Sequence, residues 1–163
     1  MRKMNSNFLA GLIIVLVGGL AGLSSNANAQ ARKVKASFTP DTAIQQPRYT
    51  EYKGVHLGMM AAEARAKLGA PTLKADDGDF YIFSDKETVQ IVYDVAHKVV
   101  TISVDYTDGI GAPDYKAVVG GELEQTANGG LYKLVRYESQ GLWVSYNRSA
   151  GPVVVVTITI QKM

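Results

Sequence analysis

The sequence predicts an α+β fold of two tandem units, each a helix followed by a three-stranded antiparallel sheet. The helices lie on one sheet face, and the other face is open. Three observations carry this expectation: an internal repeat, two short helical stripes with strong stop signals, and strands that alternate apolar and polar residues. The repeat lays "GMMAAEARAKLGAPTLKADDGDFYIF" (58–83) on "GIGAPDYKAVVGGELEQTANGGLYKL" (109–134) without a gap. Gly58 falls on Gly109, Gly69 on Gly120, Gly78 on Gly129 and Tyr81 on Tyr132. Downstream, "VQIVYD" (89–94) matches "LWVSYN" (142–147), and "TISV" (101–104) matches "TITI" (157–160). Self-similarity in a constant order of elements is the mark of a duplicated structural unit.

Each element has a local reason. Met60, Ala64 and Leu68 recur four residues apart and give the first helix one apolar stripe. Gly69 supplies the positive-φ stop, and Pro71 prevents continuation. In the second helix Pro113 suits the first turn, Asp114 suits the positive helix end, and Gly120 ends it. Tyr115 and Val119 form its stripe. In the strands, Val89, Ile91 and Tyr93 face inward with Gln90 outward. Val100, Ile102, Val104 and Tyr106 face inward with Thr101, Ser103 and Asp105 outward. Leu142, Val144 and Tyr146 repeat the pattern, and Val154, Val156, Ile158 and Ile160 complete it. Such alternation describes antiparallel sheet with one face on a core and one toward solvent.

Outside the repeat, Arg2 and Lys3 precede the uncharged run "FLAGLIIVLVGGLAGL" (8–23), and Ala27 and Ala29 form an A-x-A cleavage pattern. This predicts a secretory signal peptide over residues 1–29 and an exported, periplasmic or extracellular protein with no stable membrane anchor after cleavage. Residues 30–50, with Pro40 and Pro47 and no apolar period, read as a flexible arm or linker. Residues 51–108 and 109–163 are the two repeats, together one compact domain. Removing residues 1–29 takes away two basic residues and no acid, leaving equal numbers of each sign. A balanced chain without a clustered basic face predicts no nucleic-acid partner. The absence of cysteine excludes disulfides, thiolate chemistry and a lipid-bearing cysteine.

The stretch "YKGVHLGMMAAEARAKLGAPT", followed by "DFYIF", "VQIVYD" and "VVTISV", resembles the small α+β module of the outer-membrane assembly lipoprotein family called BamE or SmpA/OmlA. Two such modules in tandem resemble the β-lactamase-inhibitor-protein-like architecture. That resemblance implies joined sheets whose open face grips a partner protein. The anchoring cysteine of the lipoproteins and the cysteines of the inhibitors are absent here.

Apolar groups break the polar pattern expected of an open face. With Tyr81, Phe83, Tyr132 and Leu134 placed on the core, Phe80, Ile82, Leu131, Val135 and Tyr137 join Trp143 outside. Exposed clusters rich in Trp and Tyr mark contact surfaces. These six residues are the expected partner-binding set. Catalytic constellations are not apparent: His56 and His97 lack metal-ligand spacing, no G-x-S-x-G occurs, and no pair of carboxylates is placed together. Asp76, Asp77 and Asp79 flank Gly78, but the repeat mate "TANGGLY" keeps glycine and tyrosine and loses every carboxylate. The cluster therefore reads as a turn and not as a cation loop, since Asp-Gly and Asn-Gly both accept positive φ. Neither a cofactor nor a metal is expected. The resulting expectation is a non-enzymatic exported module that binds a protein of unknown identity. A cell-envelope or outer-membrane assembly scaffold is the alternative, and a small carboxylate-dependent hydrolase is a weaker one.

Overall fold

The computed structural model describes residues 46–163. The expected signal peptide and most of the expected arm lie outside the described residues. Twelve regular elements follow one another. A small hairpin of β1 (Glu51–Tyr52) and β2 (Val55–His56) comes first, then α1 (Ala61–Leu68). Next come β3 (Leu73–Lys74), β4 (Gly78–Ile82), β5 (Glu87–Tyr93) and β6 (Val99–Thr107). Then α2 (Tyr115–Val119) leads into β7 (Glu124–Gln125), β8 (Leu131–Tyr137), β9 (Leu142–Arg148) and β10 (Val155–Lys162). A 3-10 turn at Glu138–Gln140 joins β8 to β9.

This architecture corrects the expected fold class. The described residues are mostly β, with 45% of them in strands and 14% in helix. Instead of two helix-plus-three-strand units there is one antiparallel sheet of eight strands, ordered β3-β4-β5-β6-β10-β9-β8-β7, beside the two-stranded hairpin. The joint is β6 against β10, which pair from Thr107↔Val155 to Thr101↔Gln161. Such a non-local pairing leaves no signature in local periodicity. Local patterns therefore read as two small sheets where the chain builds one.

The short helices stand on their caps. Asp114 accepts a hydrogen bond from the Lys116 N–H at 2.8 Å and caps α2. Glu63 reaches back to the Met60 N–H at 3.0 Å at the start of α1. Gly69 sits at φ 87° after α1, and its N–H closes on the Arg65 carbonyl. From α1, Ala61, Ala64 and Leu68 are buried; from α2, Val118 and Val119. They share one core with Val89, Ile91, Ile102, Val104, Val144, Ile158 and Ile160. Both helices thus cover the same sheet face.

Register carries that inner face across the joint. Ile91, Ile102, Ile160, Val144 and Val135 form one continuous row of partners; Val89, Val104, Ile158 and Tyr146 form the next. In β6 one expected position differs. A bulge at Val92/Tyr93 pairs Tyr93 with Val99, so Val99 is fully buried and Val100 is only half-buried.

Candidate functional site

The helices and the hairpin pack on one face of the sheet and leave its outer face without a described element over it. Following partners across the strands gives its rows. One row runs Leu73, Phe80, Gln90, Ser103, Thr159, Ser145, Leu134. The next runs Ile82, Thr88, Asp105, Thr157, Asn147, Tyr132, and a third Val92, Thr101, Gln161, Trp143, Arg136. Only the small Ser145 in these rows is buried. The centre is a lawn of hydroxyls knit together: Ser103 Oγ lies 3.1 Å from Thr159 Oγ1, and Thr157 donates to Asp105 at 2.6 Å. Apolar groups stand at both ends. Leu73 and Ile82 are 66% and 55% exposed beside Phe80. Trp143, Leu134 and the 37%-exposed Tyr132 occupy the other end. With strands about 4.8 Å apart, β4 and β8 lie about 24 Å from each other.

The structure places Trp143, Phe80 and Ile82 on this outer face, where the sequence put them. Leu131, Val135 and Tyr137 are not there. They pair with Arg148, Val144 and Leu142, and they point to the helix side. Tyr137 is 2% exposed. The outer positions of β8 belong instead to Tyr132, Leu134 and Arg136. The cause is one residue of turn. Between β3 and β4 the Ala75 N–H donates to the Gly78 carbonyl, a four-residue closure; between β7 and β8 the Thr126 N–H donates to the Gly130 carbonyl, which takes five. Gly130, not Gly129, is therefore the counterpart of Gly78. Both glycines press on the next strand: a Cβ would sit 2.8 Å from the Ile91 carbonyl oxygen at Gly78 and 2.9 Å from that of Arg148 at Gly130. A slip of one residue turns a whole strand over, and a gapless alignment conceals it.

The three aspartates also divide. Asp76 and Asp77 are exposed turn residues. Asp79 is not part of the punctuation. It is the second residue of β4, its side chain is fully buried, and it lies on the inner face. Arg65 of α1 clamps it with two bonds, Nε to Oδ2 at 2.7 Å and Nη2 to Oδ1 at 3.0 Å. The Tyr93 hydroxyl donates at 2.6 Å and that of Tyr81 at 3.4 Å. Burial pushes the Asp79 carboxyl upward, but the donors from Arg65, Tyr93 and Tyr81 outweigh it and hold the carboxyl below the usual range. The same carboxylate, after burial, pushes the Tyr81 hydroxyl up to about 12. Arg65 also reaches the Ala75 carbonyl at 3.3 Å, so one side chain ties α1 to the turn and to the sheet. The sequence signal was available: an Asp in step with Tyr81 on an inward-facing strand must find a partner.

Chemically, a buried carboxylate held by four donor bonds is a structural lock. The outer face offers apolar contact and hydroxyl hydrogen bonding. No family model, curated protein or solved structure matches this chain.

Arg65→Ala strands the buried Asp79 charge and should cost about 3 kcal/mol in urea unfolding. That is the low end for broken buried pairs, because the Arg65 side chain is 25% exposed. Because the Asp79 pKa is depressed in the fold, its stabilisation is complete above its unfolded value of ~3.9 and is lost as pH falls through the folded value. Asp79→Asn should therefore flatten the acid limb of a stability–pH profile below about pH 4. An unchanged limb would contradict the role given to Asp79.

Proposed function

We propose that this protein is an exported, non-enzymatic binding module that engages a protein partner through the outer face of its sheet. The observation that supports the reading is the apolar pair of patches, Leu73, Phe80 and Ile82 at one end and Trp143, Leu134 and Tyr132 at the other, on a face that no described helix or hairpin covers. These side chains stand off the inner core: Leu73, Ile82 and Tyr132 are exposed, Phe80, Leu134 and Trp143 are half-buried, and all of them gain further burial when another surface lies on them. The hydroxyl-rich centre supplies hydrogen bonds to a partner at low side-chain entropy cost, since its groups already hold one another. Tryptophan and tyrosine are the side chains that most often dominate such contacts. Export follows from the signal-like segment at residues 1–29, and the resemblance to BamE-type modules rests on the short motifs quoted above.

The test is capture of partners from an envelope extract of the source organism on immobilised protein. Trp143 is half-buried, so Trp143→Ala should lower capture at least tenfold while costing about 1 kcal/mol in unfolding stability, well short of a core truncation. A large loss of stability with undiminished capture would remove Trp143 from the binding surface.

A further inference from the structure

The two edges of the eight-stranded sheet are closed to different extents. In antiparallel pairs, alternate residues direct both backbone groups to the same neighbouring strand. On the β4 edge, the Lys74↔Asp79 and Leu73↔Phe80 register occupies Phe80, and the next outward N–H, of Ile82, donates to Thr72 Oγ1 at 3.1 Å. On the β8 edge, the Thr126-to-Gly130 closure and the Glu124↔Tyr132 pair fix the outward residues as the even-numbered ones. Tyr132 is occupied by β7, which ends there. Leu134 and Arg136 come next in phase. Among the described residues no backbone or side-chain group bonds their outward N–H and carbonyl groups, whereas Thr72 bonds the Ile82 N–H on the opposite edge.

We propose that this open step of β8 takes an extended peptide as an additional antiparallel strand, with an acidic residue and an apolar residue two positions apart. The inference rests on the binding role given to this end of the face. Pairing opposite Leu134 and Arg136 satisfies two donors and two acceptors at once, which is how added strands gain affinity. The incoming side chains in phase with those two residues emerge on the outer face. One meets Leu134, beside the cluster that holds Trp143 and Tyr132. The other meets Arg136, which is exposed and belongs to none of the four ion pairs among the described residues. A carboxylate there finds a guanidinium that no described acid engages, whereas a basic peptide would be repelled. Lys133 and Arg136 discourage unselective edge pairing, because positive side chains on an edge strand oppose aggregation.

The full chain, immobilised, is panned with displayed linear twelve-residue peptides, and enriched peptides are synthesised for titration. The expected result is enrichment of sequences with Asp or Glu two residues from an apolar one. Arg136→Pro should then weaken them at least tenfold, and Arg136→Ala by less. Proline is tolerated on an edge where the lost N–H faces solvent. N-methylation of the peptide provides a measurement independent of that variant: alternate amides should matter, and the amides between them should not. Failure to enrich any peptide overturns the proposal, as does binding indifferent to both Arg136→Pro and N-methylation. A wild-type dimer abolished by Arg136→Pro would assign the edge to a second copy and also overturn it. If Trp143→Ala loses the envelope partner while Arg136→Pro keeps it, the face reading stands and the edge proposal falls.

Discussion

Pairing of β6 with β10 over Thr101–Thr107 and Val155–Gln161 joins partners 48 to 60 residues apart in sequence, and the rest of the architecture hangs on it. Without it each half would end in a long, flat strand with an unpaired backbone, the form most prone to wrong association. With it, the long strands lie at the centre, and the two-residue strands β3 and β7 lie at the rims. The inner rows cross the joint unbroken: Ile102 meets Ile160 and Val104 meets Ile158, all fully buried. Both helices can then share one core, which neither half has the apolar surface to build alone.

A single sheet has a single sidedness, and that decides what each face can do. The helices, the β1–β2 hairpin and the Asp79–Arg65 clamp all lie on one side. The clamp is a different kind of contact from the apolar packing around it, since its angles fix where α1 sits on β4. Buried charge of this kind adds orientation more than net stability. The other side keeps its hydroxyl lawn and its two apolar ends, because the described chain has nothing left to place there.

Much of this was legible in the residues. The caps at Asp114 and Gly69, the Ala64 and Leu68 positions of the first stripe, and the inward set Val89, Ile91, Tyr93, Val144 and Tyr146 all follow from local chemistry, and the structure shows them, whereas Met60, expected in the same stripe, is the N-cap of α1 and 41% exposed. The joint was not legible, since a strand's periodicity does not say which strand it will meet. The sidedness of β8 failed for a smaller reason. "TANGG" and "ADDG" look alike as turns, yet they differ by one residue in closure, and that difference sends Leu131, Val135 and Tyr137 inward and Tyr132, Leu134 and Arg136 outward. Asp79 was hidden by its neighbours, because two exposed turn aspartates beside it suggested one role for all three.

The central claim, that the outer face is uncovered and carries Trp143, has a direct optical test, because Trp143 is the chain's sole tryptophan. Fluorescence of the protein, measured with increasing acrylamide, reports on that one position. The account predicts a red-shifted emission that acrylamide quenches readily in the free protein and that blue-shifts when a partner binds. A blue-shifted emission resistant to acrylamide in the free protein would mean that the face is already covered, and it would contradict the account.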